Sequence, residues 1–137
     1  MTLTQTLAET VIQAWNTKDK LQIFELYTPD FIREDIGRNK VYDLKALSHV
    51  LDLYWQAFPD LKFELLDQIE AASKIVMVWK MKGTQRGIFM HIPPTNKVIE
   101  FHGTSILYLR DDKIHKVHYS WDEASMLRQM GLLPNLR

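Results

Sequence analysis

Two kinds of side chain in this sequence are weighed as means to move protons, carboxylates and imidazoles. In the run HYSWDEASMLRQMGLLP, His118 to Pro134, Asp122 stands where a strand pattern stops and a helix pattern starts. A carboxylate there has two readings. In a dry pocket beside an acidic carbon its pKa rises toward neutrality, so it can take a proton and return it to a forming alkoxide. Turned toward the helix it becomes a cap, accepts backbone N–H groups and is a poor base. Ser120 and Glu123 form the pattern S-x-x-E, a capping box, which lets the serine cap and leaves Asp122 free.

The histidines are weighed against that aspartate. His118 projects to the same strand face as Ser120 and Asp122, but four residues of straight strand put it about 13 Å away at ~3.3 Å per residue. His102, in EFHGTS, shares a face with Glu100 and Thr104, and an adjacent strand can bring it near Asp122. His49, His91 and His115 belong to no pattern. His115 and His118 are expected on opposite sheet faces, so no histidine pair reads as a chelate, and neither metal nor cofactor is expected. The chain has no cysteine, no phosphate-binding glycine loop and no serine nucleophile elbow.

The elements that position these groups follow from periodicity. Leu7, Val11, Ile12 and Trp15 fall at helical spacing, and Leu21, Phe24 and Tyr27 form a second short stripe after NTKD. Leu44, Leu47, Leu51, Tyr54, Trp55 and Phe58 predict a third helix, capped by Asp43 and stopped by Pro59. From Lys62 onward KFELLDQIE, KIVMVWKMKG, KVIEFHGTSILYLR and KIHKVHYSW are rich in β-branched and aromatic residues, and read as antiparallel strands. The expected fold is one α+β domain over residues 1–137, three N-terminal helices on a strongly curved, mostly antiparallel sheet that encloses a conical cavity. Tyr54, Trp55 and Phe58 from the helix side, and Trp79 between Met77 and Met81 from a central strand, are candidates for its apolar lining. Tyr108 is a further aromatic candidate. Packing is the default role for any one of them.

Composition narrows the partners. Lys plus Arg and Asp plus Glu are both 17 among 137 residues, without a basic run, so nucleic acid and anionic membrane are not expected partners. No apolar stretch approaches the ~18 residues needed to span a bilayer. The N-terminus lacks a basic region followed by an apolar run, so a cytoplasmic protein is expected. A methionine- and aromatic-lined cavity suits a small hydrophobic molecule better than a phosphate or sugar.

Four motifs in order, FPDL, GTxxGxFxxxPPT, GxxxxxxRxDKI and WDxxxxLxQxG, resemble the SnoaL-like polyketide cyclases, also called predicted ester cyclases. The resemblance spans nearly the whole chain. It implies the cone-shaped α+β barrel shared with ketosteroid isomerase, scytalone dehydratase and nuclear transport factor two. It also implies a cofactor-independent cyclase, isomerase or lyase acting on a small hydrophobic carbonyl compound, with the WD aspartate, here Asp122, as acid and base of an intramolecular aldol closure. The same fold also hosts non-catalytic ligand-binding and interaction domains. Three positions depart from the pattern. Gln85 replaces the histidine of GTH and can donate a hydrogen bond but cannot titrate; Asn96 replaces a turn glycine, and His118 stands where tryptophan is usual. Proteins of this fold often pair through the outer sheet face. Val76 and Val78 lie opposite Met77 and Trp79, leaving a second apolar face, so a homodimer is expected.

Overall fold

Helix α1 (Leu7–Asn16) begins because the Thr6 hydroxyl accepts the Glu9 N–H at 3.1 Å, satisfying one of the first turn's unpaired donors. Its stripe of Ala8, Val11, Ala14 and Trp15 is buried. The end of α1 is pinned to the sheet by Asn16. Its amide accepts the Phe63 N–H at 2.6 Å and donates to the Phe63 carbonyl at 2.8 Å. Asp19 caps α2 (Lys20–Glu25) and Asp43 caps α3 (Leu44–Ala57), where its carboxylate accepts the Ala46 N–H at 2.8 Å. Pro59 disfavours helical geometry for Phe58, which ends α3 as the sequence predicts. These contacts come from a computed structural model that describes residues 5–37 and 39–135.

Six strands form one curved, open, mixed sheet: β1 (Tyr27–Asp35), β2 (Lys40–Asp43), β3 (Lys62–Ala71), β4 (Lys74–Thr84), β5 (Val98–Arg110) and β6 (Lys113–Trp121). Their order is β2-β1-β6-β5-β4-β3. Every pairing is antiparallel except β1 with β6, which is parallel. A short helix α4 (Glu123–Gln129) follows β6. Because β2 and β3 remain edges, the cone is an open half-barrel and not a closed barrel. None of the described helices is long and apolar enough to cross a membrane.

The first 58 residues are not all helical, a correction to the periodicity reading. Tyr27, counted there in a helical stripe, opens β1. This strand lacks clean alternation because its pairing with β6 shifts register between Tyr27 and Ile32, around Pro29, which cannot donate to a ladder.

On the concave face, β4 contributes Ile75, Met77, Trp79 and Met81, and β5 contributes Ile99, Phe101, Gly103, Ser105 and Leu107, all buried. Trp79 lies opposite Gly103, and a Cβ at Gly103 would overlap the indole ring carbons. The glycine is therefore the space into which Trp79 packs. A bulge between β5 and β6 leaves His115 as the extra residue, and both His115 and His118 then approach the Tyr108 ring, at centroid distances of 6.4 and 5.3 Å. The expectation that these histidines point to opposite faces is overturned by that inserted residue.

Candidate functional site

Beneath α1 and α3 the concave face holds a partly open cavity of about 60 Å³. Ile12 and Trp15 line it from α1, Tyr54 from α3, Tyr27 and Arg33 from β1, Phe63 from β3, and Met77, Trp79, Ser105, Leu107 and Val117 from β4, β5 and β6. The walls are mostly apolar, and Tyr54 and Trp79, named as lining candidates, are among them. The Trp79 indole donates to the Ser105 hydroxyl at 2.9 Å, which fixes the ring against the floor.

Arg33 is the one charged lining residue among those described. Its guanidinium carbon sits 4.1 Å from the Tyr119 ring centroid and 5.2 Å from that of Trp15, a double cation–π contact. Nη1 is buried without a hydrogen-bond partner. Burial acts to lower the Arg33 pKa, but the surrounding Tyr119, Tyr54, Tyr27 and Asp35 outweigh it, so the net shift is upward and the group stays cationic. Burial also raises the Tyr27 phenol, against a smaller opposing effect from Arg33.

Next along the same strand face, Asp35 is buried at 3% exposure. Its Oδ2 accepts the Tyr119 hydroxyl at 3.0 Å and the Trp121 indole N–H at 3.3 Å. Tyr119 is pushed well above the usual phenol range, chiefly by burial, and so acts as a neutral donor.

Asp122 lies elsewhere. It is exposed, and its carboxylate accepts the Ser125 N–H at 3.0 Å as the N-cap of α4. The cap is thus Asp122 and not Ser120, which corrects the capping-box expectation: the helix starts at Glu123, two residues too late for serine to cap it. The Asp122 N–H donates to the His102 carbonyl at 2.9 Å, so the adjacent strand does bring these residues together, through the backbone. The His102 side chain is exposed on the outer face.

The other sequence candidates also fall outside the cavity. Gln85 is fully buried in the loop after β4. Its amide nitrogen donates to the carbonyls of Gly87, Ile92 and Pro93, and its oxygen accepts the Thr95 N–H and hydroxyl. With its donors consumed by the loop, it has none to offer a ligand in this conformation. His118 lies 3.1 Å from Glu34 on the outer face, beside Tyr108. Phe58 is core, packed edge-on against Phe89, and Trp55 donates to the Trp15 carbonyl at 3.3 Å. Alternating strand faces and local loop bonding explain these placements. No group of three or more His, Asp or Glu side chains able to hold a metal occurs among the described residues.

The sequence reading missed Tyr27, Arg33, Asp35 and Tyr119. The signal present was Arg33 and Asp35 at strand spacing in FIRED, unreadable without knowing that β1 is a strand.

Comparison with known proteins adds the family. The profile of the SnoaL-like polyketide cyclases matches residues 5–130. No curated relative matches the chain at the sequence level. Among solved structures, AclR of Streptomyces galilaeus, a proposed hydroxylase, superposes with TM-score 0.86 at 21% identity, covering 96% of this chain and 86% of that one. IdmH of Streptomyces antibioticus, a proposed polyketide cyclase, gives TM-score 0.79 at 23% identity, covering 89% and 94%. TsrD of Streptomyces laurentii gives 0.83 at 19% identity, covering 93% of each chain. These likenesses establish the shared fold.

Proposed function

This chain belongs to the SnoaL-like polyketide cyclase family, and from that premise we propose that it is a cofactor-independent enzyme of cyclase, isomerase or lyase type acting on a small hydrophobic carbonyl compound. The observation that carries the reading is the apolar cavity beneath α1 and α3, with Tyr54 and Trp79 in its wall. Apolar walls of this kind lower the local dielectric and strengthen polar contacts made against them.

The proposed step is a proton transfer followed by ring closure. A carboxylate takes a proton from the carbon beside a carbonyl, and the enolate carbon attacks a second carbonyl of the same molecule. The carbon–carbon bond forms, the second carbonyl becomes an alkoxide, and the carboxylic acid returns the proton to it. The motif position for this carboxylate is Asp122. To act, it must release the Ser125 N–H and turn from the surface toward the cone.

That requirement favours a second reading, a non-catalytic domain that binds a small apolar ligand in the same cavity. Hydrogen–deuterium exchange at the α-carbon of small hydrophobic ketones, followed by NMR in heavy water, separates the two. The enzyme reading expects exchange faster than the buffer control, slowed about 10²- to 10⁴-fold in Asp122→Asn. Ketone binding with no exchange above the control supports the binding domain instead.

A further inference from the structure

The cavity holds a cation whose hydrogen-bonding capacity is unmet. Arg33 Nη1 is buried with no partner, and no carboxylate oxygen lies within 4 Å of the guanidinium among the described residues. The acid two residues further along the strand, Asp35, faces Tyr119 and Trp121. Ring faces of Tyr119 and Trp15 steady the charge but accept none of its planar N–H bonds. A guanidinium held this way among mostly apolar walls, with Nη1 lacking an acceptor, favours an anionic oxygen as its missing partner.

Size and lining decide which oxyanion. At about 60 Å³ the cavity has room for a carboxylate head and too little for a fused-ring molecule to enter whole. With one cation and mostly apolar walls, a doubly charged phosphate would be left short of donors. Ile12, Tyr54 and Phe63 are partly exposed, so an apolar tail has surface to lie against as it leaves the cavity.

We infer that the cavity binds a small hydrophobic carboxylic acid, its carboxylate paired with Arg33 and its apolar part against Ile12, Tyr54 and Phe63. The inference rests on the cavity being the ligand site, which both readings above share, and it names the substrate class without depending on which group moves the proton.

The test titrates the full chain at neutral pH with phenylacetate, its neutral isostere phenylacetamide, and acetate. Calorimetry gives affinity, and the Trp79 indole N–H resonance reports occupancy of the cavity. Phenylacetate is expected to shift that resonance and to bind about tenfold or more tighter than either of the others. In Arg33→Gln, phenylacetate is expected to fall to the level of the amide while the amide is unchanged. The wild-type comparison stands alone if the variant does not fold. Equal binding of acid and amide at Trp79 overturns the role of Arg33 and leaves the cavity as the ligand site. Acetate as tight as phenylacetate reduces the site to a plain anion site and overturns the substrate class. No shift at Trp79 with any of the three overturns the cavity reading itself.

Discussion

The hydroxyl of Tyr119, on β6, donates to the carboxylate of Asp35, on β1, at 3.0 Å with both side chains buried. This bond joins the two parallel strands across the concave face. Tyr119→Phe removes a donor from a buried carboxylate, and a cost of about 1–3 kcal/mol is expected in urea denaturation.

The same pair sets an alkaline limit. The folded Tyr119 pKa is raised above its ordinary value of 10.0, so the neutral phenol is the form the fold stabilises. Its contribution is fully present below the unfolded pKa and is lost as pH rises from about 10 toward the folded value. Stability is expected to decline above about pH 10, by at most about 1.4 kcal/mol per pH unit for this group. Tyr27 adds to the decline in the same sense. In Tyr119→Phe the slope above pH 10 is expected to be shallower; an unchanged slope would count against this assignment.

Asp122 and Ser120 give a sharp pair of variants. Because Asp122 holds the Ser125 N–H, Asp122→Ala is expected to cost on the order of 1 kcal/mol, while Asp122→Asn, an equally good cap, costs little. Ser120→Ala is expected to stay within about 0.5 kcal/mol of wild type. A larger loss at Ser120 than at Asp122 would mean that the serine caps α4 in solution.

Gln85 is predicted to hold the loop between β4 and β5. Gln85→Ala leaves the Thr95 N–H and the Gly87 and Pro93 carbonyls without the Gln85 amide, and a loss of about 2 kcal/mol is expected in thermal or urea unfolding. Gln85→His is expected to destabilise as well, since one imidazole cannot both donate and accept toward so many groups. A silent Gln85→His would show that this loop tolerates the motif's usual histidine.

Gly103→Ala tests the floor of the cavity. The added methyl overlaps the Trp79 ring, so the indole must move or the strands must part, at about 1–3 kcal/mol. Displacement of the indole is expected to appear as a changed Trp79 N–H resonance, because its bond to Ser105 is strained. A spectrum identical to wild type would place Trp79 elsewhere.

The outer sheet face is proposed to pair two copies. Val76, Val78 and Ile106 lie there with Ile69, which is 64% exposed, and Lys80 stands between Glu64 and Glu100 at 3.3 and 3.5 Å. An apolar patch flanked by both signs of charge suits a two-fold contact. Light scattering at micromolar concentration is expected to give twice the chain mass, and Ile106→Glu to give the monomer. A 16.2 kDa species alone from the wild type would sink this proposal.

Local pattern made much of this molecule legible. The α3 stripe from Leu44 to Phe58, its Asp43 cap and its proline stop depend on residues within a few positions of one another, and so do the alternating faces of β4 and β5. The placement of Trp79 on the cavity follows from that strand alternation, and that of Tyr54 from the helical spacing of α3. The strand β1 did not announce itself, since its irregular register is set by β6, a partner more than 80 residues away in the chain. The gathering of Arg33, Trp15 and Tyr119 needs three separate elements to converge, which no spacing within one segment encodes. Asp122 shows the boundary most plainly. Its sequence permits either a cap or a buried base, and the choice lies in the few backbone angles between β6 and α4, which the docking of α4 against β5 fixes through Gln129 and Glu100.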